Sequence, residues 1–379
     1  MPIPVVNPKA QNLALKDELS AAVQAVLDSG AFVLGPNMAA LEAEVAEACE
    51  AKYGVAVNSG TDALVIALAA CGVGPGDEVI TTPFTFVATT EAIMIVGAKP
   101  IYADIDPTDF NLDPAQVEAK ISPRTRAILP VHLYGQCAAP TRFDEIARKH
   151  GLKMIYDGAQ AVGSLHKGRG IGAYGDASTL SFYPTKNLGA CGDGGMVLTN
   201  SEAVYKLAKS LRFHGQGDIG RDSTYTYEHV GYCSRLDEFQ AAVLRVKLKY
   251  LKGWNEARRA IADRYIEAFG DLPIELPVAK AENYHIYHQF TIRFARRNEL
   301  AAKLAERGIG SKVFYPSPLH MESAYRPLGY KPGDLPESEK AAAEVLSLPM
   351  FPELSIEDVE QVIAAVREST MELAGRTQP

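Results

Sequence analysis

Between residues 54 and 156 the chain alternates short apolar segments with segments of helical periodicity, and this alternation restricts the fold more than any other feature. The predicted strands are 55–57, 79–81, 99–103, 127–131 and 153–156, and the intervening helices are 61–70, 88–96, 114–121 and 140–150. Such alternation produces a mostly parallel sheet with helices on both faces. Ligands bind such sheets beyond the carboxyl ends of the strands. The sequence therefore predicts an α/β fold with its functional site at that edge.

The rest of the chain predicts a second, smaller α/β domain. Around the alternating region we predict helices at 15–29, 202–213 and 236–270 and strands at 179–182 and 196–199. Beyond a proline-containing crossing at 271–281 we predict strands at 287–294 and 311–315 and helices at 297–307, 339–346 and 355–370. We therefore expect a large domain over residues 1–250 and a small C-terminal domain over residues 251–379.

Charge and cysteine content argue against several classes of protein. The 46 acidic and 38 basic residues give a net charge of −8, whereas a nucleic-acid partner requires a basic face. The sequence contains no run of about 18 apolar residues, so we predict no membrane span. The N-terminus lacks the pattern of a signal peptide. The five cysteines include no closely spaced pair, which favours reduced thiols and a cytoplasmic protein. His285 and His288 are weak evidence for zinc, so we expect no metal.

Residues 170–175 match the glycine pattern GxGxxG of dinucleotide-binding turns. In that class a strand leads into the glycines and a helix follows them. Here no predicted strand precedes the glycines, and a strand rather than a helix follows them. We therefore interpret them as turn glycines.

Three other segments combine residue types that could bind a ligand. At 58–62, Gly60 permits a close backbone approach and Thr61 opens a helix whose amides can bind an anion, although an ordinary helix cap is the alternative. Asp157 ends a buried strand and would face the ligand crevice, where a helix cap is again the alternative. Lys186 follows an apolar strand that ends near Ser181. Burial would lower its pKa and make it a nucleophile or base, although most lysines are solvated surface groups.

Together these segments suit one ligand, pyridoxal 5'-phosphate. Helix-terminal amides and the Ser181 hydroxyl can hold its phosphate. Asp157 can keep the pyridine nitrogen protonated, which makes the ring an electron sink. Lys186 can form a Schiff base with the aldehyde.

The sequence resembles the sugar aminotransferases of the DegT/DnrJ/EryC1/StrS family, which are fold-type I pyridoxal-phosphate enzymes. The resemblance extends from about residue 15 to about residue 350. The matching segments are 28–30, 35–36, 58–64, 76–80, 85–89, 130–135, 181–189, 192–195, 234–238 and 240–242. The resemblance implies a large cofactor-binding domain, whose mostly parallel central sheet lies between helices, and a smaller C-terminal α/β domain.

The resemblance also implies a role for each matching residue. Lys186 would be the Schiff-base lysine and proton shuttle, and Asp157 would pair with the pyridinium nitrogen. The further cofactor contacts would be Gly60, Thr61, Phe86 on the ring face, Gln160 beside the ring hydroxyl, and Ser181. The contacts to the sugar nucleotide would be Tyr183, Arg235, Tyr315 and His320. Arg235 would reach across the interface of a homodimer whose two sites are shared.

The reaction implied is a ping-pong transamination in amino-sugar biosynthesis, from L-glutamate to a keto sugar carried on a nucleoside diphosphate. Tyr183 and segment 130–135 resemble the subgroup that aminates carbon 3, and amination at carbon 4 is the alternative. A dehydrating lyase on the same fold is a second alternative, but its members replace the lysine with histidine. A non-enzymatic regulator is a third alternative, although we find no basic DNA-binding helix pair.

Cys233 departs from the pattern of the family. Many relatives have asparagine at this position, supplied by the partner chain to the cofactor phosphate. A thiol is a poor hydrogen-bond donor, and losing a bond to a charged group costs roughly 1.5–3 kcal/mol. We expect either Ser234 or water to replace the contact, or weaker retention of the cofactor.

Overall fold

A computed structural model describes residues 2–217 and 226–375 of the chain. The helices are α1 (Pro8–Ala14), α2 (Lys16–Ser29), α3 (Pro36–Ala48), α4 (Gly60–Ala70), α5 (Val87–Ile95), α6 (Pro114–Val117), α7 (Pro140–His150), α8 (Glu202–Arg212), α9 (Glu238–Leu248), α10 (Leu251–Phe269), α11 (Arg297–Glu306), α12 (Pro336–Glu344) and α13 (Ile356–Gly375). The strands are β1 (Tyr53–Val57), β2 (Glu78–Thr81), β3 (Lys99–Tyr102), β4 (Thr125–Leu129), β5 (Lys153–Asp157), β6 (Leu165–His166), β7 (Arg169–Gly170), β8 (Ala177–Ser181), β9 (Gly195–Thr199), β10 (Asn283–Tyr284), β11 (Phe290–Arg293) and β12 (Val345–Leu348).

Seven of these strands form the central sheet, in the order β1-β9-β8-β5-β4-β2-β3. The neighbours from β8 to β3 pair in parallel. Strand β9 is antiparallel to both β1 and β8, so β1 runs in the same direction as the parallel strands. This arrangement confirms the predicted mostly parallel sheet. Six strands therefore present their carboxyl ends at one edge, where the predicted ligand residues lie.

Helices cover both faces of the central sheet, as alternating burial along its strands requires. Val55 and Val57 of β1 face the core that contains α4, α5 and α8. The residue between them, Ala56, faces the opposite core, which contains α3 and α9. Helices α3 and α9 are also joined by hydrogen bonds. The Glu238 carboxylate of α9 accepts bonds of 2.8 Å from the backbone amides of Asn37 and Met38 at the start of α3.

A second core surrounds the antiparallel pair β11–β12, with α10, α11 and α13 packed around it. Its buried side chains include Tyr265 of α10, Phe290 of β11 and Val362 of α13, and Ile3 from the N-terminal segment also joins it. Residues from both ends of the chain thus contribute to one core. The division of the chain at residue 250 stays a prediction.

The predicted continuous helix over 236–270 is wrong in one respect, since two helices, α9 and α10, occupy this region and are separated at residues 249–250. The physical reason is that α9 and α10 pack into different hydrophobic cores. Helix α9 packs against α2 and α3, whereas α10 packs against α13. One straight helix could not cover both surfaces.

Three local predictions also differ from the structure. The predicted strand over 311–315 is reduced to a single bridge between Lys312 and Ser347. The predicted helix over 339–346 ends at Glu344, because the next four residues form β12 and pair with β11; a short apolar run does not by itself distinguish helix from strand. Helix α1 was not predicted, although Asn7 caps it and Pro8 is its first residue.

The glycines of the GxGxxG match have a packing role. A Cβ atom on Gly170 or Gly172 would lie 2.5 or 2.8 Å from the carbonyl oxygen of Cys49. Their lack of a side chain therefore lets this turn approach the end of α3. Within the described part of the chain, no helix is long and apolar enough to cross a membrane.

Candidate active site

Asp157 is the last residue of β5 and lies buried at the carboxyl edge of the central sheet. Its Oδ2 accepts a 2.8 Å hydrogen bond from the Thr89 hydroxyl, and its Oδ1 accepts one of 3.1 Å from the Ala159 amide. Burial raises the pKa of the carboxyl, whereas these two donors and the Lys186 ammonium lower it. The site therefore holds an acidic group that a cationic ligand atom would stabilise in its ionised form.

Lys186 lies in the turn that follows β8, where its backbone amide donates a 2.8 Å hydrogen bond to the carbonyl of Tyr183. Burial lowers the pKa of its amine to about 8, although the negative charge of Asp157 acts in the opposite direction. An amine with this pKa is partly deprotonated near neutral pH and can act as a nucleophile or a base. The structure thus places the Lys186 amine close enough to Asp157 for the charges of the two groups to affect each other's pKa.

The start of α4 meets the end of β8 beside this pair. Ser59 caps α4 by accepting a 3.0 Å hydrogen bond from the Asp62 amide. A Cβ atom on Gly60 would lie 2.7 Å from the Cβ of Ser181, so only glycine permits this approach. The Ser181 hydroxyl accepts a 3.3 Å bond from the amide of Tyr183, which leaves its own proton to donate. This junction, with the helix amides of Gly60 and Thr61, is suited to bind an anion.

A second group of candidate residues contains the aromatic rings of Phe86 and Tyr315. Phe86 is the residue before α5 and is 55% exposed, and its ring centroid lies 6.3 Å from that of Tyr315. The Gln160 amide joins this group, because its Nε2 donates a 3.2 Å bond to the Tyr315 hydroxyl and its Oε1 accepts one of 2.7 Å from the Tyr134 backbone amide. The structure therefore brings together Phe86, Gln160 and Tyr315.

The loop before α9 lies beside the carboxyl end of β1. The Ser234 hydroxyl accepts a 3.3 Å hydrogen bond from the Asn58 amide and donates one of 3.1 Å to the Asn58 side chain. The Arg235 guanidinium donates to the Cys233 sulfur at 3.0 Å and lies 5.1 Å from the centre of the Phe213 ring. The thiol thus acts as an acceptor, and its neighbouring cation is held in place by an aromatic face.

The remaining two predicted substrate residues differ in their surroundings. Tyr183 is 52% exposed in the loop that carries Lys186. His320 is buried, and its Nε2 lies 3.1 Å from a carboxylate oxygen of Glu339 in α12. The structure does not bring the His320 imidazole into the Asp157 cluster, so its contact with substrate stays a prediction.

Some residues of the site were missed by sequence reasoning. Thr89 bonds to Asp157, and the Thr85 hydroxyl lies 3.0 Å from that of Thr89. Their spacing of four residues was a weak signal, because Thr85 precedes the helix and the i, i+4 rule places side chains on one face only within a helix. Asn187 was missed as well. Its side chain bonds to His288 at 2.8 Å and to Asn255 at 2.7 Å, and so anchors the lysine loop to α10 and to the segment before β11.

The donor set fits pyridoxal 5'-phosphate. A buried acid, an amine of lowered pKa, an anion junction that a Cβ would fill and an exposed aromatic face match, in turn, its pyridine nitrogen, aldehyde, phosphate and ring. When bound, this group supplies an electron sink for chemistry at the carbon that carries the amino group. Within the described residues, no cluster of three or more potential metal ligands occurs.

Comparison with known proteins identifies relatives over nearly the whole chain. The model of the DegT/DnrJ/EryC1/StrS aminotransferase family matches residues 14–367. A pleiotropic regulatory protein of Geobacillus stearothermophilus is 48% identical, with 97% of this chain and 98% of the relative covered. A UDP-N-acetyl-3-dehydro-alpha-D-glucosamine 3-aminotransferase of Acidithiobacillus ferrooxidans is 42% identical, with the same coverage.

Comparison with solved structures also identifies aminotransferases. DesV of S. venezuelae, solved in complex with a ketimine intermediate, superposes with a TM-score of 0.94 at 43% identity, covering 97% of this chain and 98% of that one. Similar structures also include a Streptococcus pneumoniae protein that is named as a sugar aminotransferase and was solved in its pyridoxal-phosphate and pyridoxamine-phosphate forms. The fold-type I architecture predicted from the sequence is therefore confirmed.

Proposed function

The chain belongs to the DegT/DnrJ/EryC1/StrS aminotransferase family, and from that premise we propose that it transfers an amino group from L-glutamate to carbon 3 of a keto sugar carried on a nucleoside diphosphate. It is a pyridoxal-phosphate-dependent enzyme. The observation that carries the proposal is the electrostatic interaction between the buried Asp157 carboxyl and the desolvated Lys186 amine at the carboxyl edge of the sheet. Relatives named as 3-aminotransferases of UDP- and dTDP-linked sugars support the substrate class.

In this proposal Asp157 and Lys186 have different roles. Asp157 holds a proton on the pyridine nitrogen by remaining an anion beside it. Lys186 binds the cofactor through its amine and, once released, moves a proton at the reacting carbon as a general acid and base. Its pKa of about 8 suits both tasks, because donor and acceptor forms are both populated near neutral pH.

The residues around the pair bind and orient the reactants. Gly60, Thr61 and Ser181 hold the phosphate, Phe86 stacks on the ring, and Gln160 lies by the ring hydroxyl. The substrate contacts in the proposal are Tyr183, Arg235, Tyr315 and His320. The positions of Tyr183 in the lysine loop and of Tyr315 beside Gln160 support their roles, whereas the role of His320 is supported only by the match of residues 14–367 to the family model.

We further propose a homodimer in which each chain completes the other's site. Apolar side chains near the candidate site support this assembly, since Phe32, Phe86 and Tyr183 are each about half exposed. Arg235 would reach the partner's substrate from the loop before α9. The five cysteines of the described chain are free thiols, which supports the further proposal of a cytoplasmic enzyme.

The first test is a visible absorption spectrum of the purified protein before and after addition of excess L-glutamate. We expect a yellow cofactor band that is lost with glutamate, as the cofactor passes to its pyridoxamine form. A yellow protein that is indifferent to glutamate would point to another amino donor or to a lyase. A protein that stays colourless with added pyridoxal phosphate would contradict the proposed function.

The sugar is tested in a second step. The glutamate-treated enzyme is mixed in turn with UDP- and dTDP-linked 3-keto and 4-keto sugars, and recovery of the yellow band is followed. NMR of the product then locates the new amino group. Recovery with 4-keto sugars alone would overturn the assignment to carbon 3.

A further inference from the structure

We propose that Thr89, with Thr85 behind it, is a positioning residue that keeps the Asp157 carboxylate ionised and aimed at the pyridine nitrogen of the cofactor. This inference rests on the proposed function, because the carboxylate has that task only when the cofactor is bound. It concerns two buried hydroxyls that the reaction as described above does not use.

The direction of the hydrogen bonds follows from the donors available. An ionised carboxylate can only accept, so the Thr89 hydroxyl donates its proton to Asp157 Oδ2 across 2.8 Å. A hydroxyl has one proton, so in the 3.0 Å contact between the two threonines Thr85 must be the donor. Both threonine side chains are buried. The two hydroxyls therefore form a chain of donors that ends at Asp157 Oδ2.

The groups around Asp157 show why hydroxyl donors are needed to keep its carboxyl ionised. Burial favours the neutral acid, while the Ala159 amide, the Thr89 hydroxyl and the Lys186 ammonium favour the anion. Tyr315 also faces the carboxylate, but burial raises the pKa of its phenol, so it is neutral. His132 adds no charge, because burial lowers the pKa of its imidazole to about 3, and its backbone amide donates to the Asp157 carbonyl.

The contribution of Lys186 is not constant through a reaction in which its amine binds and releases the cofactor. Whenever that amine is uncharged, the Ala159 amide and the Thr89 hydroxyl are the groups that continue to stabilise the anion. The amide bonds to Oδ1 and the hydroxyl to Oδ2. Together they fix both oxygens of the carboxylate, and hence the direction in which its free lone pairs point.

The same turn of backbone places the hydroxyl and the ring-stacking residue. The Thr89 amide donates a 3.2 Å hydrogen bond to the carbonyl of Phe86 at the start of α5. Residues 85–89 therefore carry both the side chain proposed to lie against the ring and the hydroxyls that orient the acid at its nitrogen. This coupling links ring position to the state of the carboxylate.

The test uses Thr89→Val, which removes the hydroxyl at nearly constant volume, with Thr89→Ser as the matched variant that restores it. Dissociation constants are measured for the apo proteins with pyridoxal 5'-phosphate and with its 1-deaza analogue, in which carbon replaces the ring nitrogen. We expect Thr89→Val to weaken binding of the natural cofactor about tenfold or more, to change binding of the analogue less than about threefold, and Thr89→Ser to resemble the wild type.

A second readout reports the ring nitrogen directly. Protein loaded with cofactor labelled with ¹⁵N in the ring is titrated by NMR. The nitrogen of the wild type and of Thr89→Ser should remain protonated to higher pH than that of Thr89→Val. Thr85→Val, which leaves the bond from Thr89 to Asp157 in place, should give a smaller change in the same direction.

Equal loss of affinity for the two ligands, or an unchanged nitrogen titration, in Thr89→Val would mean that the threonine only supports the fold and would overturn the inference. Should Thr89→Val fail to fold by circular dichroism, the same two criteria apply to Thr85→Val. A wild type that binds neither ligand would contradict the proposed function instead, which separates the two failures.

Discussion

The two ends of the candidate site are built in different ways. At the buried end, Asp157, Thr89 and Lys186 lie within one chain, with both carboxylate oxygens already hydrogen bonded. At the open end, Phe86 and Tyr183 are more than half exposed, at 55% and 52%. The first arrangement is complete before any ligand arrives, whereas the second leaves surface to be covered.

This difference suggests a division of tasks, with control of charge at the buried end and recognition of substrate at the open end. Control of charge requires a low dielectric and fixed donors, which burial supplies. Recognition of a large substrate, or of a second subunit, requires exposed surface that becomes buried only on binding. Substitutions at the buried end should therefore affect chemistry strongly, and those at the open end should affect affinity more weakly.

The largest effect is expected for Lys186→Ala. Turnover should fall by about 10⁴-fold or more, because both the nucleophile and the general base are lost. Amino-group transfer is measured by mass spectrometry of the nucleotide sugar. Lys252→Ala removes an exposed lysine of α10 and should be indistinguishable from the wild type. Full activity of Lys186→Ala would refute the assignment of the catalytic lysine.

Asp157→Asn should have the next largest effect. Removing one partner of a buried ion pair, here the carboxylate proposed to face the ring nitrogen, costs about 3–5 kcal/mol, which corresponds to a fall in kcat of roughly 10²–10⁴-fold. Single-turnover kinetics with glutamate would measure it. The same substitution at Asp193, an acid in the glycine-rich turn before β9, serves as the control. A loss below about tenfold for Asp157→Asn would mean that the carboxylate is not the counterion of the ring.

The pH dependence of the buried end follows from the lowered pKa of Lys186, about 8. Only the neutral amine attacks an aldehyde, so capture of pyridoxal phosphate by the apo protein should rise about tenfold per pH unit below the pKa and level off above it. Stopped-flow absorbance measures the rate. Asp157→Asn should move the midpoint to lower pH, since the Asp157 charge raises the Lys186 pKa. A midpoint near that of a solvated lysine would contradict burial of the amine.

At the open end, Phe86→Ala should weaken cofactor binding about three- to tenfold, because an aromatic stack contributes roughly 0.5–1.5 kcal/mol. Equilibrium dialysis gives the dissociation constant. The dissociation constant of Phe86→Leu should lie between those of the wild type and of Phe86→Ala. The midpoint of thermal unfolding of the apo protein should hardly change, since the ring is exposed. A large drop in that midpoint would show that Phe86 supports the fold rather than the cofactor.

The smallest effect is expected for Cys233→Asn, which replaces a weak donor by a good one. Release of the cofactor should slow by about two- to fivefold, because water competes for an exposed hydrogen bond. Gel filtration followed by a spectrum reports the cofactor retained. Cys191→Asn alters the other exposed cysteine and should have no effect. Faster release from Cys233→Asn would mean that the contact between Arg235 and the thiol is the useful one.

Much of this site could be predicted from the sequence because each part depends on neighbours along the chain. A strand that ends in Asp157, a glycine at the start of α4 and a lysine after β8 are local patterns, and parallel strands bring such ends to one edge. The central sheet followed from alternation for the same reason. The break between α9 and α10 could not be predicted, because it depends on which cores the two helices cover.

Contacts between distant segments were decided only by the tertiary structure. Thr89 and Asp157 are 68 residues apart, and Asn187 and His288 are 101 apart. The fold class and the candidate reactive groups could be predicted from the sequence, since periodicity and local motifs encode them. The protonation and orientation of those groups depend on burial and on donors from other elements, and these exist only after the chain has folded.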